Sequence, residues 1–388
     1  MAINLFTGAV NSNWNNAGNW SLAAFPLVGD GNITTFSNLS PNCTVNVTSA
    51  ANSIDFSSGT GYTNTITMTL GLSVAGNITL GGNMGISGAG ALICTAVGTA
   101  TLTSNGKTWP NAFTFGGVTT VVITLADAWS VTGLSTFSNT GAATSLTVNG
   151  FPWTTAGGLT VNTAGNRIVA GTTNIVLTGG TWLGGISARL QNNLELKGNI
   201  TVSGNVYVDT STLLYTSGTI TVTGSTLNIV ASTSLNTTGI SWNNITILGT
   251  SQTITLLSNL TCTGIFTNTG AATQTFTGNF NISCGTFTTG VNTTTNYIFP
   301  AGQTLTVNTA FTSNGGTSAA HTKFTSSTTS PFFIDLNPSA TQDINFMNFT
   351  WVTATEQTIW DFKGTLSNTV NINNYTSTYP TTSYGFVE

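Results

Sequence analysis

Trp242-Asn-Asn-Ile-Thr-Ile-Leu248, Thr253-Ile-Thr-Leu256, Leu260-Thr-Cys262-Thr-Gly264 and Phe266-Thr-Asn-Thr-Gly-Ala-Ala-Thr273 follow one another with only short breaks between them. Within each run an apolar residue alternates with Thr, Ser or Asn, the period of a strand with one dry and one wet face. The same series stands earlier in the chain. Trp109-Pro-Asn-Ala-Phe-Thr-Phe115, Val122-Ile-Thr-Leu125, Val131-Thr-Gly133 and Phe137-Ser-Asn-Thr-Gly-Ala-Ala-Thr144 match it block for block, and a fainter copy begins at Phe346-Met-Asn-Phe-Thr-Trp351. Repeated short strands of this kind point to stacked coils, in which each unit buries its apolar face only against its neighbours.

Working outward, Gly198-Asn-Ile-Thr-Val-Ser-Gly204 and Gly218-Thr-Ile-Thr-Val-Thr-Gly224 are further fenced strands. Amphipathic helical stretches are missing, and Glu, Lys, Gln and Arg are scarce. The expected fold is all-β: a right-handed parallel β-helix, or solenoid, with coils of roughly 20 residues. Cys262 and Cys284 then fall in one interior column of adjacent coils. The alternative is a pair of tandem antiparallel β-sandwiches, suggested by the hairpin dipeptides Asn105-Gly106, Asn149-Gly150 and Asn314-Gly315. A solenoid must cover its open ends. Residues 1–48, with Trp14, Trp20, Phe25 and Pro26, read as an N-terminal cap or anchor. Residues 49–330 read as the solenoid. Residues 331–388, where aromatics and charges are concentrated, read as a C-terminal cap or oligomerisation region, because aromatics are enriched at interfaces.

Composition narrows the function. Lys plus Arg number 6 and Asp plus Glu 10, so 4% of the chain is charged and the net charge is −4. A nucleic-acid binder needs clustered cations to displace counterions, and none are present. With 39% hydrophobic residues the chain is not a charge-swollen disordered polymer. Its Gly and Pro follow no collagen period. The amino terminus lacks the basic and apolar regions of a secretory signal, and no apolar run is long enough for a membrane helix. Cys43, Cys94, Cys262 and Cys284 are too sparse for a disulfide framework and lack metal-finger spacing, so they are expected as buried thiols.

The run Trp14-Asn-Asn-Ala-Gly-Asn-Trp-Ser21, with Pro26, Gly29-Asp30 and Cys43-Thr-Val-Asn-Val47, resembles the opening module of repetitive β-solenoid structural proteins of phage virions and of bacterial surface adhesins. The later Asn-Ile-Thr-Ile and Leu-Thr-Cys-Thr-Gly elements are similar to their repeats. The resemblance implies a fibre-like or shell-associated protein that displays surfaces to a host, and it carries over no catalytic residues.

Candidate chemistry is thin. His321, the only histidine, stands in a Ser/Thr/Ala/Gly-rich stretch. Glycoside hydrolysis needs two carboxyls held roughly 5 to 9.5 Å apart. Asp30, Asp55, Asp127, Glu195 and Asp209 are dispersed, and no charge occurs between Asp209 and Lys323. Asp335 with Asp343, and Glu356 with Asp361, lie in the C-terminal region and are expected in a cap or interface. Gly106-Lys107-Thr108 mimics the end of a phosphate loop, but no helix pattern follows it. Asp30 suits an Asx turn better than a calcium site. Sequons at Asn32, Asn77, Asn199, Asn244 and Asn281 are expected from an Asn/Thr-rich composition.

The functional expectation is a non-enzymatic phage virion structural protein: a tail fibre, spike or capsid-surface component displaying a polar solenoid for host attachment. Neither cofactor nor metal is expected, and no nucleic-acid partner or membrane insertion. Its partners would be copies of itself in a homotrimer, other virion proteins and host-surface glycans. Its location would be the virion, extracellular after lysis, or in the adhesin alternative the cell surface. A bacterial adhesin or filament subunit, and a polysaccharide-degrading tailspike, are the competing readings. The expected ligand contacts are the aromatics Trp351, Trp360, Tyr375 and Tyr379.

Overall fold

A computed structural model describes residues 2–58, 61–116, 121–139, 146–163, 168–184, 189–209, 212–270, 272–289, 295–314, 322–345, 347–357, 359–360 and 375–376. The fold is a β-solenoid, 61% strand and 1% helix. Every strand pairing described is parallel, which excludes the tandem sandwich. The chain divides into two compact units, Met1–Tyr207 with Thr216–Thr221, and Val208–Tyr215 with Val222–Glu388.

The hairpin dipeptides were misleading for a physical reason. Asn105 and Gly106 have φ of 51° and 75°, as a tight turn demands. Yet the flanking strands Gly98–Thr103 and Thr108–Trp109 pair with the next coil, at Val121–Leu125 and Trp129–Val131, and not with each other. The turn serves as a coil corner. Asn149-Gly150 makes no hairpin either; it ends the strand Leu146–Gly150, paired in parallel with Thr124 and Leu125 of the preceding coil.

In-register stacking turns the sequence repeat into interior columns. In the first unit Phe115 pairs with Phe137, their rings 4.9 Å apart and 4° from parallel. Trp129 pairs with Trp153 at 5.9 Å and 9°. The corresponding column of the second unit runs Ile245, Phe266, Phe287, Phe311. The expected cysteine column is present: Trp242 pairs with Cys262, and the pairing of Thr261 with Ser283 sets Cys284 in the next position. All four thiols are buried and free. A hydrogen bond with the Cys262 thiol, followed by burial, pushes the Cys284 thiol far above its ordinary range. Burial pushes Cys94 up to about 11.

The wet face is equally ordered. Thr246, Thr267, Thr288 and Thr312 pair in succession and form an outward hydroxyl column. Asparagine binds the coils at their corners. The side-chain oxygen of Asn77 accepts from Thr101 N at 2.8 Å, 24 residues on. Asn199 accepts from Thr219 N at 3.1 Å, Asn244 from Ile265 N at 2.8 Å and Asn281 from Thr304 N at 2.9 Å. Four of the five sequons noted above are therefore not accidents of composition. In Asn-Ile-Thr the amide caps the next coil's backbone, the Ile enters the core and the Thr faces solvent. A neutral side chain thus does the linking that charges do elsewhere. Asn281→Ala is expected to cost about 1 kcal/mol, the worth of one such bond, read as a lowered denaturation midpoint.

At the N-terminal end the first strand, Ile3–Leu5, has only Ile33–Ser37 as a ladder partner among the described residues. Its other edge is covered. Ser21 N donates to Leu5 O at 2.9 Å, Leu5 N donates to the Ser21 hydroxyl at 2.8 Å, and Phe6 and Trp20 form an antiparallel bridge. Asn19, fully buried, accepts Val10 N and Asn11 N on its side-chain oxygen, at 3.0 and 2.9 Å. Phe6, Trp14, Trp20 and Phe36 pack as one aromatic knot. The Gly-Asn-Trp-Ser run thus blunts an edge that would otherwise recruit another strand.

The parallel ladder does not stop at residue 330. Phe332–Leu336 pairs with Val352–Thr355, and Thr322–Ser326 with Met347–Thr350. Phe332 and Phe349 are fully buried, and Phe332 stacks on Phe299 at 4.5 Å. Part of the aromatic enrichment near the C-terminus therefore belongs to the core.

Candidate functional site

A cavity lies in the second unit, at a coil corner. Its origin is a surplus residue. Leu235 pairs with Leu256 and Ser241 with Thr261, so five residues separate the first pair of positions where four separate their partners. The following coil keeps the shorter spacing. The surplus is taken up by a turn over 237–240, closed by Ile240 N donating to Thr237 O at 2.9 Å. Gly239 supplies the left-handed conformation the turn requires, with φ +70°, and a Cβ there would meet nothing within 4 Å. The notch that results has a volume of about 530 Å³ and is lined by Thr238, Gly239, Ser241, Leu257, Thr261 and Phe280, among others.

The notch is held from below. Thr237 N donates to the Ser258 hydroxyl at 2.6 Å, and the Thr237 hydroxyl donates to Asn259 O at 3.2 Å. The Asn236 side-chain oxygen accepts both Thr238 N at 3.2 Å and the Thr238 hydroxyl at 2.8 Å. Asn259 accepts Asn281 N at 3.0 Å, one more rung of the corner ladder. These bonds fix the frame and leave other groups spare. The hydroxyls of Ser241 and Thr261 and the amide nitrogen of Asn259 have no protein partner among the described residues. Leu257 is 43% exposed, and Phe280 is half-buried with no ring contact among the described residues. No ionisable group lines the cavity.

Of the four aromatics expected as ligand contacts, Trp351 does not line this cavity. Trp351 is half-buried in the bend between Met347–Thr350 and Val352–Thr355, at φ +56°, and its carbonyl accepts Phe332 N at 3.1 Å. Trp360 and Tyr375 lie on the two strands of one short parallel ladder, Ile359–Trp360 with Tyr375–Thr376. Tyr379 lies outside the described residues, as do His321 and Asp361. Sequence reading missed the notch because its only signal is a count: one more residue between Leu235 and Ser241 than between Leu256 and Thr261. Such a count means nothing until the register is known.

Asp127, Asp30 and Asp55 serve the backbone. Asp127 accepts Ser104 N and Asn105 N, both at 2.6 Å, from the preceding coil. Asp30 accepts Leu27 N at 3.1 Å and Asn32 N at 2.9 Å in an Asx turn, and Asp55 accepts both groups of Ser57 at 2.7 Å. Glu195 accepts the Thr216 hydroxyl at 2.8 Å, and Asp335 that of Thr355 at 3.0 Å. Among the described residues no three His, Cys, Asp or Glu side chains converge as a metal site would need. Lys107 follows Gly106 in a turn, its N–H donating to Ser104 O at 3.0 Å, rather than opening a helix. No family model, no curated protein and no solved structure matches the chain.

Proposed function

We propose that the protein is a non-enzymatic structural component of a bacteriophage virion, a tail fibre, spike or capsid-surface protein that presents an uncharged solenoid wall to host-surface glycans. It works as a homotrimer alongside other virion proteins and is extracellular once the host lyses. The observation that carries this reading is the outer face itself. Successive coils set Thr hydroxyls in columns and tie their corners with Asn amides, so the wall offers hydrogen bonds without charge. A surface of that kind holds hydroxylated polymers by many weak contacts and is indifferent to salt. The notch adds a place where such contacts converge.

The test is retention on immobilised polysaccharides, followed by assay of the eluate for new reducing ends. The expected outcome is salt-insensitive retention with no reducing ends released. Release of reducing ends would establish a polysaccharide-degrading spike instead. Sedimentation of the purified protein as a monomer would remove the homotrimer.

A further inference from the structure

We infer that the 237–240 notch is a subsite for one neutral pyranose residue of a polysaccharide, with the ring of Phe280 as its stacking face. This deepens the attachment reading and rests on it.

Four observations converge. First, the notch is not required by the fold: the next coil turns the same corner with one residue fewer, and Leu257 stands 43% exposed in the lining. Second, its volume of about 530 Å³ falls within the roughly 300–1,000 Å³ of small-molecule sites. Third, its spare polar groups come from successive coils and complement one another. The Ser241 and Thr261 hydroxyls both donate and accept, and the Asn259 nitrogen donates, while the Asn259 oxygen is occupied by Asn281 N. Fourth, the lining includes two apolar groups, Leu257 and the half-buried Phe280, whereas most other large aromatics described are buried in ring-to-ring columns.

A sugar ring has this same division, with C–H bonds on its face and hydroxyls around its edge. An aromatic ring takes the face, and short hydroxyl and amide side chains take the edge. Charge selects the class. The lining holds no cation to pair with a uronate or sulfate and no anion for an amino sugar, so a charged residue would be desolvated without compensation. Gly239 adds no side chain to the lining, and the space beside it is open.

The experiment uses the full-length protein and its Phe280→Ala, Phe280→Trp and Thr261→Val variants. Calorimetry and ligand-observed NMR would be run against neutral oligosaccharides (gluco-, manno- and galacto-series) and against oligogalacturonate and hyaluronate fragments. Far-ultraviolet circular dichroism and the melting midpoint serve as fold controls. We expect binding of at least one neutral series that changes less than twofold between 0.05 and 1 M NaCl. Phe280→Ala should weaken it tenfold or more, Phe280→Trp should retain it and Thr261→Val should weaken it several-fold, all with unchanged melting. Neutral-glycan binding that Phe280→Ala leaves intact would overturn the notch while leaving attachment standing. Preference for the anionic fragments would overturn the neutral class. Absence of binding to every glycan would overturn both the subsite and the attachment reading.

Discussion

Gly157→Val should collapse the stacking of the first unit, lowering its stability by at least about 3 kcal/mol, the upper part of the overpacking range. Gly157 belongs to a column of close approaches. A Cβ on it would stand 2.4 Å from the Gly133 carbonyl carbon, one on Gly180 would stand 2.4 Å from that of Gly157, and one on Gly133 would stand 2.4 Å from that of Asn111. The obstacle in each case is backbone, held by the parallel ladder, so no rotamer change relieves it. The coils must separate. Gly302 provides the contrast: its φ is +75° and nothing lies within 4 Å of a Cβ there. Gly302→Ala pays only for the left-handed conformation, about 1 kcal/mol. Urea titration of the two variants would measure the difference. Equal and small losses would show that the coils are not packed as tightly as the column implies.

Trp153→Ala should cost about 3–5 kcal/mol, the range for removing a buried large aromatic. Trp153 is fully buried at the centre of a cluster, with ring centroids 4.7 Å from Phe115, 4.9 Å from Phe113 and 5.9 Å from Trp129. Its indole N–H donates to the Ser135 hydroxyl at 3.0 Å, so truncation also strands a polar partner. Trp153→Phe should recover much of the loss, since it restores the rings and leaves only the hydrogen bond unmade. In a stack each coil depends on its neighbours. Faster amide exchange should therefore centre on the strands holding Phe113, Phe137 and Trp153. A uniform rise across the chain would contradict that local dependence.

The fold was legible because its interior obeys a short-range rule. Apolar alternation told which side chains point inward, and repetition of Trp109 in Trp242 and of Phe137 in Phe266 told that the coils stack. The spacing of Cys262 and Cys284 then gave the register of one column correctly. Tight-turn dipeptides were ambiguous, because Asn105-Gly106 has the same backbone in a hairpin and at a coil corner. The sequons hid a structural device, since the partner of each Asn lies one coil away and cannot be seen locally. The site was the least legible part. Aromatic residues near the C-terminus drew attention because they were dense, yet Phe332 and Phe349 proved to be core. Phe280 stood out in no pattern, and the notch it lines goes with how many residues turn a corner two coils earlier.

The most direct test of the parallel, in-register account is a distance along the outward threonine column. Thr246 and Thr288 occupy the same position two coils apart, through Thr267. Spin labels on a Thr246→Cys/Thr288→Cys variant of a background lacking reactive thiols, which burial of the four native cysteines supplies, should show strong dipolar broadening. The corresponding backbone separation is about 10 Å, twice the spacing of adjacent strands. A spectrum equal to the sum of the two singly labelled proteins would contradict the stacked coils on which everything else depends.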